Sequence, residues 1–124
     1  MSDLQQPEGQ PVLITTAPYS EATPRGPITG AWIMGQLDIA AGLAGQQASG
    51  GDALMISIKD LTFHAPLLAG VEFAVHATLT RTGNTSFNLS FSGWADPKTT
   101  CTRIFSADVL LVAVDAEGKP RKIV

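Results

Sequence analysis

Cysteine is nearly missing from this chain. Cys101 stands alone, so no internal disulfide can form and no Cys/His cluster offers itself to a metal. Positive charge is scarce as well. Eight Lys and Arg against eleven Asp and Glu leave a net charge of -3, without the basic stripe that general nucleic-acid binding requires. RNP, zinc-knuckle and helix-turn-helix patterns are absent too. The most apolar stretch, "GPITGAWIMGQLDIAAGLAG" (26–45), is broken by Gly35, Gln36, Asp38 and Gly42, which argues against a membrane span. The polar, acidic start "MSDLQQPEGQP" resembles neither a signal nor a transit peptide, and a cytoplasmic protein is the expectation.

What is present describes one domain. At 124 residues the chain is long enough for a single core, and 44% apolar with 15% charged residues implies a largely hidden surface, part of it covered by another subunit. Residues 1–11, rich in Gln, Pro and Gly, read as a flexible tail, and 117–124 as a basic C-terminal tail. "VLITTA" (12–17) is a short strand candidate. "PYSEATPRGP" follows as loop, with three prolines and a glycine. Thr29 sits where an N-cap belongs, so a helix is expected from about Gly30 to about Ala48, stopped by "SGG".

The period then changes to two. Leu54, Ile56 and Ile58 alternate with Met55, Ser57 and Lys59. Val71, Phe73, Val75, Ala77 and Leu79 oppose Glu72, His76, Thr78 and Thr80, and Phe87, Leu89 and Phe91 alternate with serines and Asn88. "TRIFSADVLLVAVD" closes the set, and "RTGNTS" (81–86) reads as the turn of a hairpin. This order predicts an α+β fold in which an antiparallel sheet wraps one buried helix. A helix apolar all round fits burial. Its glycines, Gly35, Gly42 and Gly45, each cost about 1 kcal/mol against Ala, which points to close approach of the sheet or of a ligand.

Asp38 is the one charge between Arg25 and Asp52. An Asp inside an apolar helix is either on a solvent strip or hydrogen-bonded to a loop, or else it faces a cleft as a base or nucleophile, its pKa raised by Met34, Leu37 and Ile39. "TGA" (29–31) places free N–H groups at the helix N-terminus, suited to polarising a carbonyl oxygen. Gly30 and Asp38 lie about 12 Å apart along one helix, too far to serve one carbonyl. If they cooperate, the amide and the acid come from different chains, and the unit is a two-fold dimer with two sites.

Four stretches, "GPITGAWIMGQLDIAAGLA", "FHAPLLAG", "RTGNTS" and "LVAVDAEGKPRKIV", resemble the motifs of hotdog-fold acyl-CoA thioesterases, in particular the bacterial branch active on short- to medium-chain acyl-CoA. The likeness covers roughly residues 12–123. It implies one long helix wrapped by a five- or six-stranded antiparallel sheet (residues 12–116 as the domain), with dimers assembling into tetramers or hexamers. It implies hydrolysis of acyl-CoA to free CoA and a carboxylic acid, with no cofactor other than the CoA of the substrate. Asp38 occupies the position of the family's catalytic acid, and the oxyanion donor falls on the amide of Gly30 or Ala31. Two departures stand out. Thr29-Gly30-Ala31 replaces a common Phe-Gly-Gly, and Thr23 replaces a common Asn.

The phosphates of CoA call for local cations. Lys119 and Arg121, in the family's C-terminal motif, are the candidates for the nucleotide phosphates, and Arg81 with Thr85 and Ser86 for pantetheine or phosphate. The small residues Ala41 and Gly42, with Met34, are expected to line the acyl pocket. His64 reads as an edge residue near its mouth, His76 as an exposed strand histidine, Trp32 and Trp94 as packing, and Cys101 as an inert strand-edge thiol. No G-x-S-x-G elbow is present. No His follows Asp38 closely, as a hydratase on this fold would want. The alternative to hydrolysis is an acyl-CoA- or lipid-binding dimer without turnover; a purely structural dimer is the third reading.

Overall fold

The computed structural model of the chain describes residue 7 and residues 9–123. Most of the expected N-terminal tail, residues 1–6 and 8, and Val124 lie outside the described residues.

A long helix, α1 (Gly30–Ser49), is set by its two ends. Thr29 is extended (φ -62, ψ 146) and its hydroxyl accepts the Trp32 N–H at 3.2 Å, satisfying one orphan donor of the first turn. Gly50 ends the helix in the left-handed conformation (φ 78), its N–H returning to the Gln46 carbonyl at 3.0 Å.

Five strands follow the sequence pattern: β1 (Leu13–Thr16), β2 (Ala53–Phe63), β3 (Glu72–Thr82), β4 (Ser86–Ala95) and β5 (Thr102–Ala113). They pair antiparallel in the order β1-β3-β4-β5-β2, which leaves β1 and β2 at the edges. The "RTGNTS" turn joins β3 to β4, with the Gly83 N–H bonded to the Ser86 carbonyl at 2.7 Å. Alternation on β4 and β5 presents Phe87, Leu89, Phe91, Phe105, Val109 and Leu111 to one side. There they form a core with Ile33, Leu37, Ala40, Ala41 and Ala44 of α1. Trp32 packs its ring 5.8 Å from that of Phe73, and Trp94 is buried with its indole N–H on the Ser92 hydroxyl. Gly45 is a close-approach glycine, since a Cβ there would stand 3.1 Å from Leu111 Cδ2.

Four expectations are corrected. First, the sheet covers one side of α1 only. Ala31, Gly35, Asp38, Ile39, Gly42, Leu43 and Gln46 form an open face, with Ile39 51% and Leu43 41% exposed. Gly35 and Gly42 therefore do not approach the sheet, and nothing lies within 4 Å of a Cβ built on either. Second, β2 changes phase. A register shift between Met55 and Ser57 turns Met55 and Ile58 toward the core and leaves Leu54 and Ile56 exposed. Third, His76 is 7% exposed. It shares a surface pocket with Gln10, Pro11, Pro97 and Lys98. Fourth, Leu79, near a register shift at the end of β3, stays exposed beside Ala77 and Leu89.

Beyond β5 the chain folds back as a strap. The Asp115 carboxylate accepts the Glu117 and Lys119 N–H groups at 2.9 Å each, Gly118 turns the chain (φ 80), and the Ile123 N–H reaches the Asn84 carbonyl at 2.8 Å.

Candidate active site

The first turn of α1 presents free donors. The Ile33 N–H begins the intrahelical ladder at the Thr29 carbonyl (3.4 Å), and Trp32 is taken by the Thr29 side chain. The amides of Gly30 and Ala31 precede both and have no carbonyl within the helix to reach. Both residues are exposed. Thr29, where the family commonly has Phe, is thus used as the cap. Thr23 lies in a tight turn, its carbonyl accepting the Gly26 N–H at 2.9 Å and its N–H donating to the Pro27 carbonyl at 2.7 Å.

Beside this turn lies a groove of about 440 Å³, between the start of α1 and the segment that leaves β2. Ile28, Ile33 and Leu67, all buried, form its floor; Gly30, Phe63, His64, Ala65 and Pro66 line the rest. Phe63 is opposite Phe105 and so faces the helix; its Cζ would be 3.9 Å from a Cβ on Gly30. The His64 ring binds elsewhere, with Nε2 2.8 Å from the Ser106 hydroxyl, as an edge residue would. The residues expected to line the pocket lie apart from this groove. Ala41 is in the core, Met34 is half-buried, and Gly42 sits on the open face of α1.

Asp38 is exposed on that open face, with Ile39 beside it. Of its other expected apolar neighbours, Leu37 turns into the core and Met34 is half-buried. The acid and the Gly30 amide are on one helix, about 12 Å apart along the axis, and Asp38 does not line the groove at the helix start.

The candidate CoA residues collect at the far end of the molecule. Arg81 Nε lies 2.5 Å from the Asn88 side-chain oxygen, and Arg81 Nη2 lies 3.0 Å from the Ser86 hydroxyl. Thr85 is half-buried, its carbonyl accepting the Ala113 N–H. Lys119 is exposed on the strap. Arg121 is turned inward. Its Nε donates to the Val114 carbonyl (2.9 Å), Nη1 to the Ser49 carbonyl (3.1 Å), and Nη2 to the Ser49 hydroxyl and the Asp52 carbonyl. These four contacts tie it to the end of α1, the link from α1 to β2 and the residue after β5. Cys101 precedes β5, and burial pushes its thiol pKa up, away from thiolate character. Among the described residues no group of three or more His, Cys, Asp or Glu is placed to hold a metal, and no helix is long and apolar enough to cross a membrane.

Sequence reasoning missed the groove, because it is assembled from two separate segments, 28–33 and 63–67. "FHAP" drew notice for its histidine, whereas the side chain that reaches the helix is the phenylalanine before it.

Helix, five-stranded antiparallel sheet and the placement of α1 against the concave side define a hotdog fold. Residues 26–102 match the thioesterase superfamily, and the chain belongs to that family. It is 32% identical to an uncharacterised acyl-CoA thioester hydrolase of Buchnera aphidicola subsp. Baizongia pistaciae, over 96% of this chain and 92% of that protein. Among solved structures it resembles a hexameric thioesterase of Yersinia pestis (TM-score 0.88, 28% identity, 95% of this chain and 98% of the other). It also resembles a hexameric hotdog-fold thioesterase of Campylobacter jejuni (TM-score 0.86, 30% identity, 94% and 91%).

Proposed function

We propose that this protein hydrolyses acyl-CoA thioesters to free CoA and a carboxylic acid, at sites built by two copies of the chain. One observation carries the reading. The same helix exposes unpaired amides at Gly30 and Ala31 beside an apolar groove and, on a face left open by the sheet, the carboxylate of Asp38. The relatives named as acyl-CoA thioester hydrolases support the substrate class.

The open face of α1 fits a second α1. Its exposed Ile39 and Leu43 are unfavourable in water, and Gly35 leaves room for helix axes to come close. Two antiparallel helices crossing near residue 34, midway between 30 and 38, set Gly30 of one copy against Asp38 of the other. The exposed Leu54 and Ile56 of edge strand β2 extend the same apolar surface. The two hexameric relatives support further assembly of such dimers into a hexamer.

In this arrangement the thioester oxygen accepts the Gly30 or Ala31 N–H groups, where the positive end of the helix dipole opposes the charge that develops on it. Asp38 of the facing chain takes a proton from water as the water oxygen bonds to the carbonyl carbon, or its carboxylate makes that bond itself and forms a mixed anhydride, which water then cleaves to release the acid and restore Asp38. The C–S bond breaks, its electron pair leaves on sulfur, and CoA departs as the thiol after protonation. From Asp38 to Ser49 the helix of the acid-bearing chain runs roughly 16 Å toward its own strap. The CoA moiety follows it to Arg81, Thr85, Ser86 and Lys119, with Arg121 holding the strap in place.

Steady-state hydrolysis by the wild type and by Asp38→Asn tests this. Loss of turnover at least 100-fold in a folded variant is the expected result; an unchanged kcat would refute the assignment. Tight CoA binding with no thiol release from any acyl-CoA, by the wild type, would mark a binding protein instead.

A further inference from the structure

The register of β3 against β4 slips by one residue beside the hairpin. Leu79 is opposite Leu89, but Arg81 is opposite Asn88. Without the slip Arg81 would stand across from Phe87, which is buried in the core on the helix side of the sheet. With it, Arg81 stays exposed beside Asn88, which alternates with Phe87 and Leu89 and so faces away from the helix. The Thr80 hydroxyl secures the slip, donating to the Asn88 carbonyl at 3.2 Å.

Three neighbours then fix the guanidinium. Nε donates to the Asn88 side-chain oxygen at 2.5 Å, and Nη2 donates to the Ser86 hydroxyl at 3.0 Å. Nη1 lies over the turn, where a Cβ built on Gly83 would stand 3.0 Å from it, so the bare glycine lets the fork lie close. Asn88 is the firmest support, because β4 is paired on both sides, with Arg81 opposite on β3 and Leu110 opposite on β5. Both acceptors are neutral, and among the described residues no carboxylate pairs with Arg81. Its charge is therefore uncancelled while its side chain is already ordered, the condition in which an arginine loses least on meeting a phosphate.

We infer that Asn88 is a positioning residue for CoA: it holds Arg81, uncancelled and in place, for a phosphate of the nucleotide. The inference rests on the thioesterase reading above for the identity of the anion, and adds the residue that prepares its cation. Asn88 acts through Arg81 and does not touch the substrate. Its amide suits this task in a way that a carboxylate does not. Arg81 Nε can only donate, so Asn88 must turn its oxygen toward it, and that oxygen carries no net charge. An Asp at 88 would hold the fork equally well and cancel the charge that the phosphate meets.

The test is calorimetric titration of free CoA, in low and high salt, into wild type, Arg81→Ala, Asn88→Ala, Asn88→Asp, Ser86→Ala and the double variant Arg81→Ala/Asn88→Ala. Arg81→Ala is expected to weaken CoA roughly tenfold, by the loss of a charge-assisted contact. Asn88→Ala is expected to weaken it roughly threefold or more, because the arginine must then be ordered on binding. The double variant should bind no more weakly than Arg81→Ala, since Asn88 has nothing left to position. Asn88→Asp should also lose roughly threefold or more, with a flatter salt dependence than wild type. A purely structural Asn88 would instead leave Asn88→Asp close to wild type. Melting curves accompany each variant; if Asn88→Ala does not fold, Asn88→Asp and Ser86→Ala still decide. CoA binding unchanged in folded Asn88→Ala or in Arg81→Ala, fully additive losses in the double variant, or no CoA binding by the wild type each overturn the inference. A wild type that binds CoA but hydrolyses no acyl-CoA overturns the functional reading alone, and the titrations still decide the role of Asn88.

Discussion

Gly30 and Asp38 are both exposed on α1, eight residues apart, so the proposed oxyanion donor and the proposed acid of one chain are about 12 Å from each other along the axis. A thioester carbonyl is reached by both only if each comes from a different copy. In the proposed dimer the copies meet on the open face of α1, where Gly35 is bare and Ile39 is uncovered in the single chain.

Proline at the helix start separates the two candidate amides. Thr29 already has the extended ψ of 146 that a residue before proline requires, and proline is tolerated in the first turn. Of Gly30→Pro and Ala31→Pro, the one that removes the oxyanion donor lowers kcat by roughly 100-fold or more with the helix retained. Kinetics and far-UV circular dichroism read this out. Equal, near-wild-type kcat in both variants would place the oxyanion hole elsewhere.

Thr29→Ala removes the acceptor of the Trp32 N–H. Urea denaturation should show a loss of about 1 kcal/mol, with Thr29→Asn close to wild type. No difference between the two would mean that the cap contributes nothing.

Gly93 lies under two rings, with a Cβ there blocked by Phe105 and standing 2.7 Å from Phe73 Cζ. Both rings are fully buried and part of one core, so neither can swing out. Gly93→Ala is expected to destabilise by roughly 3 kcal/mol, at the upper end for overpacking. Gly42→Ala, in open space on α1, leaves the fold intact; thermal melts of the two compare them directly.

Arg121→Ala removes the donors held by Ser49, Asp52 and Val114 and should cost about 2 kcal/mol in denaturant, whereas Lys119→Ala costs little. For catalysis the order reverses. Lys119→Ala raises KM for an acyl-CoA but not for the matching acyl-pantetheine, which has no nucleotide phosphates. An acyl-CoA-specific rise in KM confined to Arg121→Ala would instead make Arg121 the phosphate ligand.

Local chemistry made much of the fold readable. The cap at Thr29, the stop at Gly50 and the alternation of β4 depend on neighbours in sequence, and each lies where its pattern places it. What misled was decided at a distance. The register shift after Met55 reverses the phase of β2, which an unbroken Leu54-Ile56-Ile58 alternation does not reveal. His76 is buried, and the residues that share its surface pocket, around 10 and 97, are far from it in the chain. In the site, Asp38 and the helix-start amides were legible because each is unusual for its position. The groove of Ile28, Phe63 and Leu67 was not, because apolar residues in two distant segments carry no sign of meeting. Arg121 looked like a cation for phosphate, and only the fold-back of the strap shows how many carbonyls it serves.

Mixing two inactive variants bears most directly on the central claim, that each site takes its amide from one chain and its acid from another. One parent carries Asp38→Asn; the other carries whichever first-turn proline abolishes turnover. After unfolding together and refolding at equal amounts, half the dimers are mixed and each has one of two sites intact, so activity returns to about one quarter of wild type. Mixtures that stay as inactive as their parents, with mixed dimers shown to form, would mean that amide and acid act within a single chain.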